Sequence, residues 1–132
     1  MQIKGGAVIS WNLDSERPIY TQIIERITLD IISGIYAPGA RLPSVRDLAQ
    51  NAGVNPNTMQ KALSELERTG LLFSQRTSGR FVTEELAMIE KTKTQLAAQQ
   101  IREFLEKMQR IGFDRETTLK LIQQTEEKEA QV

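Results

Sequence analysis

The side chains able to do chemistry in this chain form a restricted set. Histidine and cysteine are both absent, which removes imidazole acid–base catalysis, thiol nucleophiles, disulfides and zinc sites built from those ligands. The clustered carboxylates are Glu84-Glu85 and Glu126, Glu127 and Glu129. Neither group has a convergent ligand set, so neither reads as a metal site or an acid–base pair, and an enzyme is not expected. What remains is hydrogen bonding and charge, concentrated in one stretch: Arg41, Ser44, Arg46, then Asn57, Thr58, Gln60 and Lys61, then Arg76, Ser78, Gly79 and Arg80. Short amides and hydroxyls close to arginines suit the donor–acceptor edges of base pairs and the phosphates beside them.

Such side chains act together only if the elements beneath them are rigid. Pro18 suits a first helical turn, and Ile19, Ile23, Ile24, Ile27 and Ile31 follow it as an apolar stripe of helical period. Gly34 and Pro38-Gly39 end that helix. A second, short helix is predicted over Val45–Asn51, with Ser44 as N-cap and Asp47 three residues on. Gly53 supplies a tight turn and Val54 an apolar pin. Asn55 caps a third helix with Pro56 at its first position, and Gly70 stops it. Met59, Ala62, Leu63 and Leu66 face inward from it, while Asn57, Thr58, Gln60 and Lys61 occupy its first turns. Two extended runs, Leu71–Ser74 and Arg80–Thr83, flank a five-residue loop and read as a hairpin. Helix, helix, tight turn, helix and ribbon make a winged helix-turn-helix plan, in which the third helix fits a major groove about 12 Å wide.

Beyond Thr83 the pattern changes. From Glu84 to Ile111 there is no glycine or proline, and Ala97, Ile101, Phe104, Met108 and Ile111 recur with a 4-3-4-3 spacing, Leu105 lying beside them. That is the narrow seam of a helix packing on another helix. Gly112 breaks the helix, and Asp114 caps a last one carrying Leu119, Leu121 and Ile122. Residues 1–83 hold nine Lys/Arg against seven Asp/Glu, and residues 84–132 hold eight against ten. The expected architecture is therefore mainly α with a small β-hairpin. Residues 1–83 form a winged helix-turn-helix domain, and residues 84–132 a helical dimerisation hairpin whose contacts are Ala97, Ile101, Phe104, Leu105, Met108, Ile111, Leu119 and Ile122.

Gly34-x-Tyr36-x-Pro38-Gly39-x-Arg41-Leu42-Pro43-Ser44-x-Arg46-x-Leu48-Ala49, followed by Gly53-Val54, Thr58, Ala62-Leu63, Leu66-Glu67, Gly70-Leu71 and Gly79-x-Phe81-Val82, resembles the DNA-binding domain of the GntR family of bacterial transcription regulators. The short helical tail resembles the YtrA subfamily. The resemblance implies a homodimeric repressor on a palindromic double-stranded operator, with control of a nearby transporter operon. It places DNA contacts on Arg46, on Asn57, Thr58 and Gln60, and on the wing Arg76–Gly79 with Arg80 nearby. Position 56 departs from the fatty-acid and gluconate branches, where a base-reading Arg is common; here it is proline, so their operator sequence does not transfer.

Each assignment has a plainer competitor. Arg46 could pair with Asp47 or Asp30, Lys61 with Glu65, and Arg41 could bridge inside the domain as readily as touch phosphate. From another class, the winged domain could be an adaptor that binds protein rather than DNA. Seventeen Lys/Arg balance seventeen Asp/Glu, so a diffuse polycationic coat is excluded and any basic surface is local. The N-terminal residues lack the pattern of a signal peptide and no apolar run is long enough for a membrane span, so a cytoplasmic protein without membrane contact is expected. No cofactor or metal is expected. Any small-molecule effector is not identified by these residues, and two tail helices offer little to enclose one.

Overall fold

The computed structural model describes residues 11–130. Residues 1–10, placed above in the winged domain, and residues 131–132, placed in the tail, lie outside the described residues. The chain divides into two compact units, the first ending at Thr92 and the second beginning at Lys93.

In the first unit, α1 (Ile19–Ile32) carries Ile23, Ile27 and Ile31 into the core. Pro18 sits one residue before the helix, as its N-cap, rather than inside the first turn. The segment ahead of α1 is tied down by the buried Gln22 side chain. Its Nε2 donates to the carbonyls of Asp14 and Arg17, and its Oε1 accepts from the Asp14 N–H. Trp11 lies against the Arg26 guanidinium, 4.7 Å from the ring centre, and Arg26 also pairs with buried Asp30 at 3.1 Å. Burial raises the Asp30 carboxyl above its ordinary value, against the opposing charge and hydrogen bonds of Arg26.

Helix α2 (Val45–Ala52) begins where Ser44 Oγ accepts the Asp47 N–H at 3.1 Å, and it ends at Gly53. Gly53 has φ +70°, the left-handed conformation that closes a helix with least strain when no Cβ is present. Its N–H donates to Gln50 O, and the Val54 N–H donates to Ala49 O, so the turn satisfies two of the last four carbonyls of α2. Helix α3 (Pro56–Arg68) starts at once, with Asn55 Oδ1 accepting the Asn57 N–H at 2.7 Å. The same paired closure ends α3, where Gly70 donates to Glu67 O and Leu71 to Leu66 O. Met59, Ala62, Leu63 and Leu66 from α3 join the α1 isoleucines, Leu48 and Ala49 from α2, and Leu42, Leu71, Leu72 and Val82 in one core.

Strands β1 (Leu72–Gln75) and β2 (Gly79–Val82) pair antiparallel, Leu72 opposite Val82 and Gln75 opposite Gly79. The expected boundaries were one residue off at each end, and the loop is three residues long, not five. The Ser78 N–H donates to Gln75 O at 3.0 Å, and Gly79 at φ +105° brings the chain back into register. The positive φ falls on Gly79, the first paired residue after the loop. Phe73 and Phe81 stack across the pair with ring centres 5.7 Å apart. The segment Gly39–Leu42 runs along the outer edge of β2: Gly39 donates to Val82 O, Val82 to Ala40 O and Leu42 to Arg80 O. The sequence contains no strand signal there.

Helix α4 (Leu86–Ile111) begins two residues later than expected, because Thr83 Oγ1 takes the Glu85 N–H and the Glu85 carbonyl accepts the first helical bonds. Met88 and Ile89 from its first turn pack on the core. In the second unit α4 continues to Ile111, and Asp114 Oδ1 accepts the Thr117 N–H at 2.8 Å to cap α5 (Arg115–Ala130). No residue of α4 is buried, and Thr118 is the buried residue of α5.

Leu63, only 1% exposed in the core, is a position at which truncation leaves an unfilled space beneath α3. Leu63→Ala is expected to lower stability by about 2–5 kcal/mol, read as a shift of the denaturant midpoint with an unchanged slope. A loss below about 1 kcal/mol would mean that α3 is not anchored through this face.

Candidate nucleic-acid interface

The inner face of α3 fixes its outer one. With Met59, Ala62, Leu63 and Leu66 buried, the helical period brings Asn57, Gln60 and Lys61 out together at spacings of three and four, and all three are exposed. Arg46 is exposed on α2. The ion pairs proposed as alternatives for Arg46 and Lys61 do not form among the described residues. Asp30 is held by Arg26, and Glu65 pairs with Arg68 at 2.6 Å. Arg46 on α2 and Lys61 on α3 are therefore exposed cations with no ion pair among the described residues. Thr58 stands apart from these. It is half-buried and lines an open cleft with Trp11, Leu13, Ile19, Val54 and Asn55. Ser44 is exposed, and its hydroxyl serves as the cap of α2.

The hairpin positions the remaining candidates unequally. Arg76 and Ser78 are exposed at its tip, and Ser78 also closes the turn through its N–H. Arg41 lies on the edge segment beside β2, forms a bridge with Phe81, and is exposed. A Cβ on Gly79 would come within 3.1 Å of Arg41 Nε, so glycine here gives both the positive φ and room for the guanidinium. Arg80 differs from the others. Its Nε donates to Glu67 Oε1 and a terminal nitrogen donates to Gln60 Oε1 at 3.3 Å, leaving its side chain 16% exposed. It is not a free cation at the wing tip.

Glu67 is the residue that the sequence reading missed. From the end of α3 its Oε1 accepts from Ser74 Oγ at 2.7 Å on β1 and from Arg80 on β2, which ties helix and hairpin together. No local signal marks this role, since its partners lie seven and thirteen residues away. Burial acts to raise the Glu67 carboxyl, but the hydrogen bonds from Ser74 and Arg80 and the charge of Arg80 outweigh it and hold the group below the ordinary glutamate value. Among the described residues no acidic cluster could hold a metal ion, and no helix is long and apolar enough to cross a membrane.

The tail candidates are mostly uncovered in a single chain. Ile101 is 57%, Phe104 42% and Ile111 68% exposed, and Leu119 and Ile122 are exposed too. Ala97 is also exposed, while Leu105 and Met108 are half-buried.

Comparison with known proteins places this geometry among regulators. The profile of the bacterial regulatory proteins of the gntR family matches residues 19–82. The HTH-type transcriptional regulator YhcF of Bacillus subtilis is 35% identical over 105 residues, covering 80% of this chain and 87% of that protein. The HTH-type transcriptional repressor YtrA of the same organism is 40% identical over 87 residues, 64% of this chain and 67% of that one. A solved GntR family transcriptional regulator from Listeria monocytogenes superposes with a TM-score of 0.78 at 35% identity, covering 85% of this chain and 98% of the other.

The Glu67 tie carries a pH dependence of definite sign. Because the folded carboxyl is held below its ordinary value, its contribution is complete at neutral pH and is lost as pH falls below about 4.5. Glu67→Gln is expected to raise amide exchange in the hairpin about tenfold, corresponding to roughly 1–2 kcal/mol of local stability, while α1 and α3 amides stay protected. Corrected for intrinsic exchange, wild-type hairpin protection should fall on acidification and that of the variant should stay flat. Equal protection in both proteins would show that the hairpin is held by its apolar contacts alone.

Proposed function

The chain belongs to the gntR family of bacterial regulatory proteins, of YtrA type, and from that membership we propose that it is a transcriptional repressor that binds a palindromic operator as a homodimer in the bacterial cytoplasm. The observation that carries this reading is the exposure of Arg46 on α2 and of Asn57 and Lys61 on α3, the two cations making no ion pair among the described residues. Surface cations left unpaired beside outward amides are what phosphate positioning and base reading require. In this reading α3 enters the major groove, Arg46 reaches a base edge or phosphate, and Arg76 at the wing tip lies in the adjacent minor groove, where negative potential favours arginine. Arg41 holds backbone phosphate beside the wing.

The tail supports the dimer. Ile101, Phe104 and Ile111 repeat at helical spacing and are left largely exposed, an apolar stripe of the kind that soluble proteins cover. A second copy of the same stripe is its natural complement, because a two-fold interface is self-complementary. Two winged units joined in this way would meet half-sites about one helical turn, roughly 34–36 Å, apart. Repression is supported by the description of the YtrA relative as a repressor. Control of a transporter operon is the regulatory context we propose.

Two measurements test the reading, using an operator recovered by selection from genomic fragments. Arg46→Ala should weaken operator binding by about 1–3 kcal/mol with unchanged melting; wild-type affinity in that variant would remove Arg46 from the interface. Sedimentation equilibrium should show a dimer at micromolar concentration, and Phe104→Glu should give a folded monomer whose operator affinity falls by orders of magnitude as the linkage of half-sites is lost. A monomeric wild-type protein would defeat the homodimer.

A further inference from the structure

Arg80 does more than close the wing. Its guanidinium is anchored by Glu67 and extends along α3 to Gln60. Glu67 and Gln60 are seven residues apart, two turns of one helix face, so one arginine from β2 spans both. An N–H donor requires an acceptor, and the carboxamide of Gln60 has one at only one end. The end facing Arg80 is therefore the oxygen, and Nε2 is the end left to act elsewhere.

Glutamine reads adenine by using both ends at once, Nε2 donating to N7 while Oε1 accepts from the N6 amino group. At Gln60 the oxygen is already engaged by a cation. Its second lone pair is open, but an amino group brought to it would set its own donor hydrogens beside the guanidinium. Guanine raises no such conflict, since N7 and O6 are both acceptors and Gln60 Nε2 and the guanidinium are both donors. We propose that Arg80 is a specificity-determining positioning residue that, by holding Gln60 Oε1, makes Gln60 a donor to guanine and sets it against adenine at one base pair of each half-site. The proposal rests on the reading of α3 as the major-groove element. It replaces the direct wing contact expected of Arg80 with an action through Gln60.

Selection from a pool of randomised duplexes with the full-length protein tests it. Gln60→Ala should flatten the preference at one position of the half-site, which identifies the base pair that Gln60 reads. At that position the wild type should favour guanine over adenine by about tenfold. Arg80→Met keeps the aliphatic stem and frees Oε1. It should bring the ratio to parity or reverse it, leaving the preferred bases elsewhere unchanged. A merely structural role for Arg80 would lower affinity at all positions together without altering base identity. Adenine as the wild-type choice at the Gln60 position overturns the inference without reference to any Arg80 variant, as does a guanine preference that survives Arg80→Met intact. A wild type that enriches no sequence overturns the DNA-binding reading and this inference with it, whereas an enriched operator with adenine at that position overturns the inference alone.

Discussion

Met59, Ala62, Leu63 and Leu66 recur along α3 at spacings of three, one and three, and each is 2% exposed or less. That burial sets the rotation of the helix about its own axis. One residue of helix corresponds to about 100° of rotation, so any other setting would drive Lys61 or Gln60 into a core of isoleucine and leucine. Each large apolar side chain sealed there is worth roughly 1.5–3 kcal/mol relative to exposure, while an unpaired lysine buried in exchange would cost several kcal/mol. The outward amides are therefore aimed by residues that no ligand touches, and the Ser44, Gly53 and Asn55 caps serve the same end by fixing where each helix starts and stops.

Those caps explain why so much of the fold was readable from the sequence. Ser44, Gly53, Asn55-Pro56 and Gly70 act within four or five residues of themselves, and the structure uses them as their types suggest, with Ser44 and Asn55 accepting N–H groups and Gly53 left-handed. The hairpin was placed one residue out because strand register depends on which residue takes positive φ, and Gly79 does so as a paired strand residue rather than inside the loop. The edge formed by Gly39–Leu42 has no sequence signal for a related reason: it consists of backbone bonds to Arg80 and Val82, and those need no particular side chains.

Long-range side-chain ties were the least legible. Arg80 in the sequence is an arginine beside a glycine-containing loop, which suggests a cation at a tip. In the structure it is tied to a carboxylate thirteen residues away and a carboxamide twenty residues away, and neither separation matches a helical or strand period. The tail shows the complementary case. Its apolar seam is plain from the spacing of Ile101, Phe104 and Met108, because a helical period is a local pattern.

The start of α3 has a consequence for how an anion could be held there. A helix N-terminus ordinarily offers several free N–H groups whose dipoles converge on a phosphate oxygen. Here Pro56 has no N–H at all, and the Asn57 N–H is occupied by Asn55 Oδ1. The backbone is thus largely spent at the one place where it would have acted as a fixed, salt-independent cradle. In the DNA-binding reading proposed above, phosphate near that end would fall to mobile ammonium and guanidinium groups, whose grip comes from releasing counterions, so the hold on a polyanion would vary with the ionic strength around it.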